Sequence, residues 1–122
     1  MTDYKNLIAW QKSRTLVKEI YLLTERLPKS ELFGLTNQIR RAAISIPSNI
    51  AEGYNRNTHK EYIHFLRIAK GSAAEVETQL MLCADLDFLS TKDIENALKL
   101  NQEVLCMIGT LIINNERKCE QN

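Results

Sequence analysis

At 122 residues, 44% hydrophobic and 25% charged, the chain has the size of one domain and can bury roughly two thirds of the surface its unfolded form exposes. Four glycines, two prolines and no apolar run approaching the roughly 18 residues of a membrane span exclude a low-complexity chain and a transmembrane one. Net charge is +1, the amino terminus lacks the cationic and apolar blocks of a secretion signal, and Cys83, Cys106 and Cys119 are too scattered for a disulfide framework, so reduced thiols and a cytoplasmic location are expected.

The first helix is predicted from about Leu7 to Leu27, with Leu16, Ile20, Leu23 and Leu27 on one stripe, Trp10 and Val17 beside it, and Pro28 as the stop. Lys29-Ser30-Glu31 connects it to a second helix that begins between Ser30 and Leu35 and for which Gly53 is placed as a left-handed cap. Within that helix Ile39, Ala43, Ile46 and Ile50 keep a helical rhythm straight through Pro47, which lacks the N–H a helix interior uses and crowds the Ala43 carbonyl. A kinked, buried helix follows, at a cost of about 3 kcal/mol. Ser45, Ser48, Asn49 and Glu52 are the polar groups available to backbone atoms the kink frees.

Thr58 and Glu61 stand at capping-box spacing before a third helix, whose seam is Tyr62, Leu66, Ala69, Ala73, Val76, Leu80 and Cys83. Gly71, Ser72, Ala73 and Ala74 put small side chains at its centre, where another helix can approach closely. The fourth helix starts with Ser90 and Asp93 as a capping box, and Leu89 with Ile94 as a hydrophobic staple. It carries two apolar stripes, Ile94, Leu98, Leu105, Ile108 and Ile112, then Ala97, Leu100, Val104, Met107 and Leu111. That arc is broader than one core needs, implying either a second partner surface or a wider internal core. Cys83 and Cys106 sit in these patterns and are expected to pack as small hydrophobes. Short connections between helices of similar length make residues 1–122 an all-α, antiparallel up-down-up-down four-helix bundle in a single domain.

Several stretches carry a family likeness: Ala9-Trp10-Gln11-Lys12 after Leu7, Phe33-Gly34-Leu35-Thr36, the whole of residues 38–53, Glu61-Tyr62, Phe65-Leu66, and Ala69-Lys70-Gly71-Ser72. On these the chain resembles, over about its whole length, the bacterial 23S rRNA-intervening-sequence proteins, a four-helix-bundle family that is itself similar to the accessory variability determinant of diversity-generating retroelements. The resemblance implies a homo-oligomer closed into a pentameric ring, and contact with RNA or DNA and with a reverse transcriptase. It implies little about reaction.

The residues point the same way on chemistry. A carboxylate-bridged di-iron site in a four-helix bundle needs Glu-x-x-His on two helices. Glu61-Tyr62-Ile63-His64 supplies it once, and His59 has no partner glutamate. His59 and His64 lie about 140 degrees apart on a helix, so they do not form a same-face metal pair. Two residues separate Arg56 from His59 and seven separate it from His64, and neither gap matches the HEPN-type ribonucleases. No nucleophile pairs with a histidine and no glycine-rich phosphate loop occurs, so a non-enzymatic protein without metal or cofactor is expected.

Charge is split along the chain. Residues 1–70 hold twelve Lys and Arg against six acids, and residues 71–122 hold four against nine. Either a basic surface attracts phosphate or basic and acidic faces meet within or between subunits. The basic candidates are Lys12, Arg14, Lys18, Arg40, Arg41, Arg56, Lys60, Arg67 and Lys70, interrupted by Glu19, Glu25 and Glu61. Of Arg40 and Arg41, about 100 degrees apart on a helix, one is expected against an interior carboxylate such as Glu52 or Glu75 and the other against solvent or a neighbour. Trp10 and Tyr21, beside an apolar stripe, are expected to pack rather than to stack on bases. The leading expectation is an oligomeric scaffold or adaptor whose ring interfaces use helices one and four, with Arg14 or Lys18 near the rim. The alternative is weak, salt-dependent nucleic-acid binding.

Overall fold

The computed structural model describes residues 3–121; Met1, Thr2 and Asn122, at the two ends of the expected domain, lie outside the described residues. Its helices are α1 (Ile8–Thr24), α2 (Leu35–Tyr54), α3 (His59–Asp85) and α4 (Thr91–Glu120), with 3₁₀ turns at Tyr4–Asn6 and Lys29–Glu31. Each helix packs on its neighbour in the chain and α4 returns beside α1, with no diagonal pairing among the described residues. This is the square of an antiparallel up-down-up-down bundle. No helix among the described residues is long and apolar enough to cross a membrane.

α1 ends at Thr24, three residues before the expected Leu27, because the Thr24 hydroxyl donates back to the Ile20 carbonyl at 2.7 Å and the next bonds, Arg26 to Leu23 and Leu27 to Thr24, are 3₁₀-like. Leu27 nevertheless closes the core from this turn. α2 runs unbroken through Pro47, and Ile39, Ala43, Ile46 and Ile50 are all fully buried on one face. Of the four polar groups expected to help, Asn49 reaches the backbone, but at the Ser45 carbonyl (2.8 Å) and hydroxyl (2.9 Å) and not at the Ala43 carbonyl that Pro47 frees. Ser48 faces solvent, and Glu52 is bonded to Arg56 instead.

Gly53 does not cap α2. It lies inside the helix, is buried, and no described glycine has a positive φ. Its role is steric. A Cβ there would come within 2.8 Å of the Phe65 Cβ and 3.0 Å of the Tyr62 ring, so α3 crosses α2 at a distance only a glycine permits. Gly71 is the opposite case, exposed with no atom within 4 Å of a built Cβ, and of the small quartet only Ser72 and Ala73 face inward. Gly53→Ala is therefore expected to cost about 1–3 kcal/mol through overpacking despite alanine's better helix propensity, whereas Gly71→Ala should gain about 1 kcal/mol. Urea midpoints of the two variants shift in opposite directions if this is right.

α3 begins as expected, with the Thr58 hydroxyl accepting from the Glu61 N–H at 3.1 Å. The Glu61 carboxylate accepts from that same hydroxyl at 3.3 Å, so the reciprocal arm of the capping box is not made. At Ser90 both arms are present, and Leu89 and Ile94 are buried as a staple. The Ser90 backbone N–H, with Arg26 and the Ser90 hydroxyl adding, holds the Asp93 carboxyl below its ordinary value.

The two stripes of α4 resolve into one core line with a flank on each side. Ala97, Val104, Ile108 and Ile112 are buried, Leu98 and Leu105 are half-buried on one flank, and Leu100, Met107 and Leu111 are half-buried on the other. At the centre of the core line stands Asn101, fully buried, donating to the Ala73 carbonyl at 2.9 Å while its Oδ1 has no described partner. Cys83 is buried, and burial, reinforced by Glu31, pushes its thiol up. Cys106 is exposed, contrary to the packing expected of it, because its position falls outside the inward arc.

Candidate functional site

Five of the nine basic candidates are engaged within the fold. Lys12 pairs with Glu103, Arg56 with Glu52 at 2.6 Å, and Arg67 with Glu116 at 3.0 Å. Arg14 lies over the Trp10 ring at 4.9 Å. Arg40 finds no interior carboxylate: its Nε donates to the Thr24 hydroxyl at 2.8 Å and its guanidinium covers the Tyr21 ring at 4.4 Å, so an aromatic face and a hydroxyl take the role expected of Glu52 or Glu75. Trp10 itself is half-buried, edge-on to Tyr4 at 5.3 Å.

The side chains of Lys18, Arg41, Lys60 and Lys70 are exposed and make no hydrogen bond or ion pair with a described residue. Lys60 and Lys70 belong with Arg67 to the outward side of α3, where His64, Gly71 and Ala74 are also exposed. Lys60, His64, Arg67, Gly71 and Ala74 recur at helical spacing, making a basic stripe that ends in a flat stretch of small residues. His64 was not among the charge candidates; its spacing from Lys60 and Arg67 is the signal that would have included it.

Arg41 opens on a groove of about 480 Å³ between α2 and α3, facing Glu75 and Gln79, with Phe33 on its rim exposed by 91%. A hydroxyl pair, Ser72 donating to Ser45 at 2.8 Å, forms part of its wall, and the Oε1 of Gln79 is buried without a partner. One cation and one carboxylate make this groove close to neutral.

At the far end of the bundle the α2–α3 connection and the last turns of α4 enclose a second cavity of about 360 Å³. His59 enters it from the first turn of α3, its Nδ1 2.8 Å from the Asn115 Oδ1, while the Asn115 amide donates to the Leu111 carbonyl at 2.8 Å. Because that amide nitrogen is committed, the oxygen is the acceptor and His59 carries its hydrogen on Nδ1. Arg56, held over the Phe65 ring at 4.8 Å, and Lys118 stand on the same cavity. The two histidines do not meet a metal set: among the described residues no three His, Cys, Asp or Glu side chains come together to hold an ion.

Tyr62 lines this cavity too, edge-on to Tyr54 at 5.8 Å, with a hydroxyl that is buried and without a described partner. Desolvation first, and the neighbouring Tyr54 second, push its pKa from 10.0 to about 12. The folded protein thus holds this proton more tightly than the unfolded chain. The contribution is complete below pH 10 and is lost as pH rises through about 12. Unfolding free energy should fall across that interval, and Tyr62→Phe should flatten the fall when the two proteins are compared by urea unfolding at each pH.

The family model of the 23S rRNA-intervening sequence protein matches residues 5–110. Among solved structures, a protein of unknown function from the S23 ribosomal protein family of Bacteroides thetaiotaomicron superposes with a TM-score of 0.80 over 86% of this chain and 98% of its own, at 24% identity. That likeness carries the fold. No curated protein matches the chain.

Proposed function

The chain belongs to the 23S rRNA-intervening sequence protein family, and we propose that it works as a non-enzymatic, cytoplasmic scaffold or adaptor assembled into a closed homopentamer. The observation that supports this is the uncovered apolar ground between α1 and α4. These two helices form the least extensive pairing of the bundle. Ile8 is exposed by 58% beside Leu7, Met107 and Leu111 in a shallow groove of about 310 Å³, and Leu22, exposed farther along α1 beside Asp93 and Asn96, extends this apolar surface. A head-to-tail contact seated on such ground uses two different surfaces per subunit and must close by rotation, which a ring of five satisfies. Arg14 and Lys18, both exposed on α1, suit its polar rim.

Light scattering at micromolar concentration tests the ring, since a mass of 14.0 kDa would be that of a single chain and would remove it. Met107→Glu places a charge on the contact and is expected to drive the assembly to monomers while leaving the helical spectrum intact.

A second reading, salt-dependent binding of RNA or DNA, is favoured by the outward stripe of α3. Lys60, Arg67 and Lys70 can follow a phosphate backbone past the flat Gly71 and Ala74, and such contacts read no sequence. The likeness to the accessory variability determinant, with a reverse transcriptase as partner, belongs to this reading. Gel retardation of generic RNA and DNA should appear at low salt, vanish as salt rises, and weaken in Lys70→Gln.

A further inference from the structure

We propose that the cavity at the α2–α3 end of the bundle is a binding site for a terminal phosphate, the phosphomonoester of a nucleotide or of a nucleic-acid end. The argument begins with charge. Arg56 and Lys118 are permanent cations on this cavity, His59 is a third basic group, and none of the described residues lining it is acidic. The α2–α3 groove, by contrast, sets Glu75 against Arg41. Both cations have contacts of their own, Arg56 with Glu52 and Lys118 with another group, yet a guanidinium bonded to one carboxylate through one nitrogen keeps further N–H donors for a phosphate fork, and an ammonium keeps more than one.

The histidine is already oriented. Asn115 is buried and fixes the Nδ1 side of His59, so the ring is held by one nitrogen and presents the other. The Nε2 atom makes no hydrogen bond with a described residue and is the ring atom left to meet a phosphate group. The rest of the cavity is suited to what a phosphate is attached to. The Tyr54 and Tyr62 rings and the apolar Leu7 and Leu111 supply wall for a planar or sugar-like body, and a volume of about 360 Å³ is that of a small-molecule pocket.

This site is separate from the α3 stripe, since it would hold one phosphate end rather than follow a backbone. Calorimetric titration of the full chain at low ionic strength with adenosine 5′-monophosphate, adenosine, inorganic phosphate, and a short oligonucleotide with and without a 5′-phosphate tests it. Saturable binding of the phosphorylated compounds, with neither adenosine nor the unphosphorylated oligonucleotide binding at this site, is the expected result. Tighter binding of the phosphorylated oligonucleotide than of the mononucleotide assigns the phosphate to a nucleic-acid end, and the reverse order assigns it to a free nucleotide. The His59 Nε2 resonance should move on titration and Nδ1 should not.

Lys118→Gln and His59→Gln are each expected to weaken binding about tenfold, the worth of one charge-assisted contact. Lys70→Gln, which tests the α3 stripe, should leave it unchanged. Equal affinity for adenosine, absence of saturable binding by every phosphate compound, or unaltered affinity in the Lys118→Gln, His59→Gln double variant would overturn the proposal. Melting curves of the variants establish that the bundle is intact in each comparison.

Discussion

Ile46→Ala is expected to lower the unfolding free energy by about 2–5 kcal/mol, the usual range for truncating a large core aliphatic. The upper half of that range is favoured here because Ile46 is fully buried beside Pro47, where the helix has already lost one internal hydrogen bond. A segment whose backbone is held by side-chain packing has little else to retain it when the packing is removed. Urea unfolding followed by circular dichroism gives the number directly. A loss below 1 kcal/mol would mean that α2 is held at Pro47 by something other than this face.

Asn101→Asp should be at least as damaging. The wild-type amide is fully buried with one hydrogen bond donated to the Ala73 carbonyl. Replacing it with a carboxylate removes the donor and turns it against that carbonyl, with no described cation in the core to compensate. An unpaired buried charge costs about 3–5 kcal/mol. The introduced carboxyl would have its pKa raised by burial, so the variant's stability should recover as pH falls and worsen as pH rises above the unfolded carboxylate value. Asn101→Leu offers the complementary test. It removes an acceptor that has no partner and fills a similar volume, and is expected to be neutral or stabilising by about 1 kcal/mol. If both substitutions behaved alike, the core at this level would be wet.

What was legible beforehand followed the range of the forces involved. The start of α4 was readable because Ser90, Asp93, Leu89 and Ile94 act on one another within one turn. The buried face of α2 was readable because periodicity survives a proline when the apolar positions are fully enclosed. Gly53 was misread since whether a glycine ends a helix or admits a neighbour is decided by Phe65, on another helix. The same holds for Arg40, whose partners Tyr21 and Thr24 are across the α1–α2 turn, and for the contact of His59 with Asn115, 56 positions away. Asn101 interrupts an apolar line that the eye completes with leucines, and only the facing Ala73 carbonyl shows why an amide is held there.

The uneven pairing of the helices also sets how the molecule comes apart. α2 with α3 and α3 with α4 share the most extensive seams, whereas α1 meets α4 over the least. The ion pairs that tie α1 and the turn after it to α4, Lys12 with Glu103 and Arg26 with Asp93, are solvent-facing, and such pairs contribute at most about 1 kcal/mol and fade with salt. The cheapest sub-global opening is therefore the release of α1 from an α2–α3–α4 remainder. Amide protons of α1 should exchange first, and their protection should decline with ionic strength while that of α3 holds. The first helix is in this sense a detachable strap, and its temporary absence would leave a vacancy that the α1 of a neighbouring chain has the right sequence to fill.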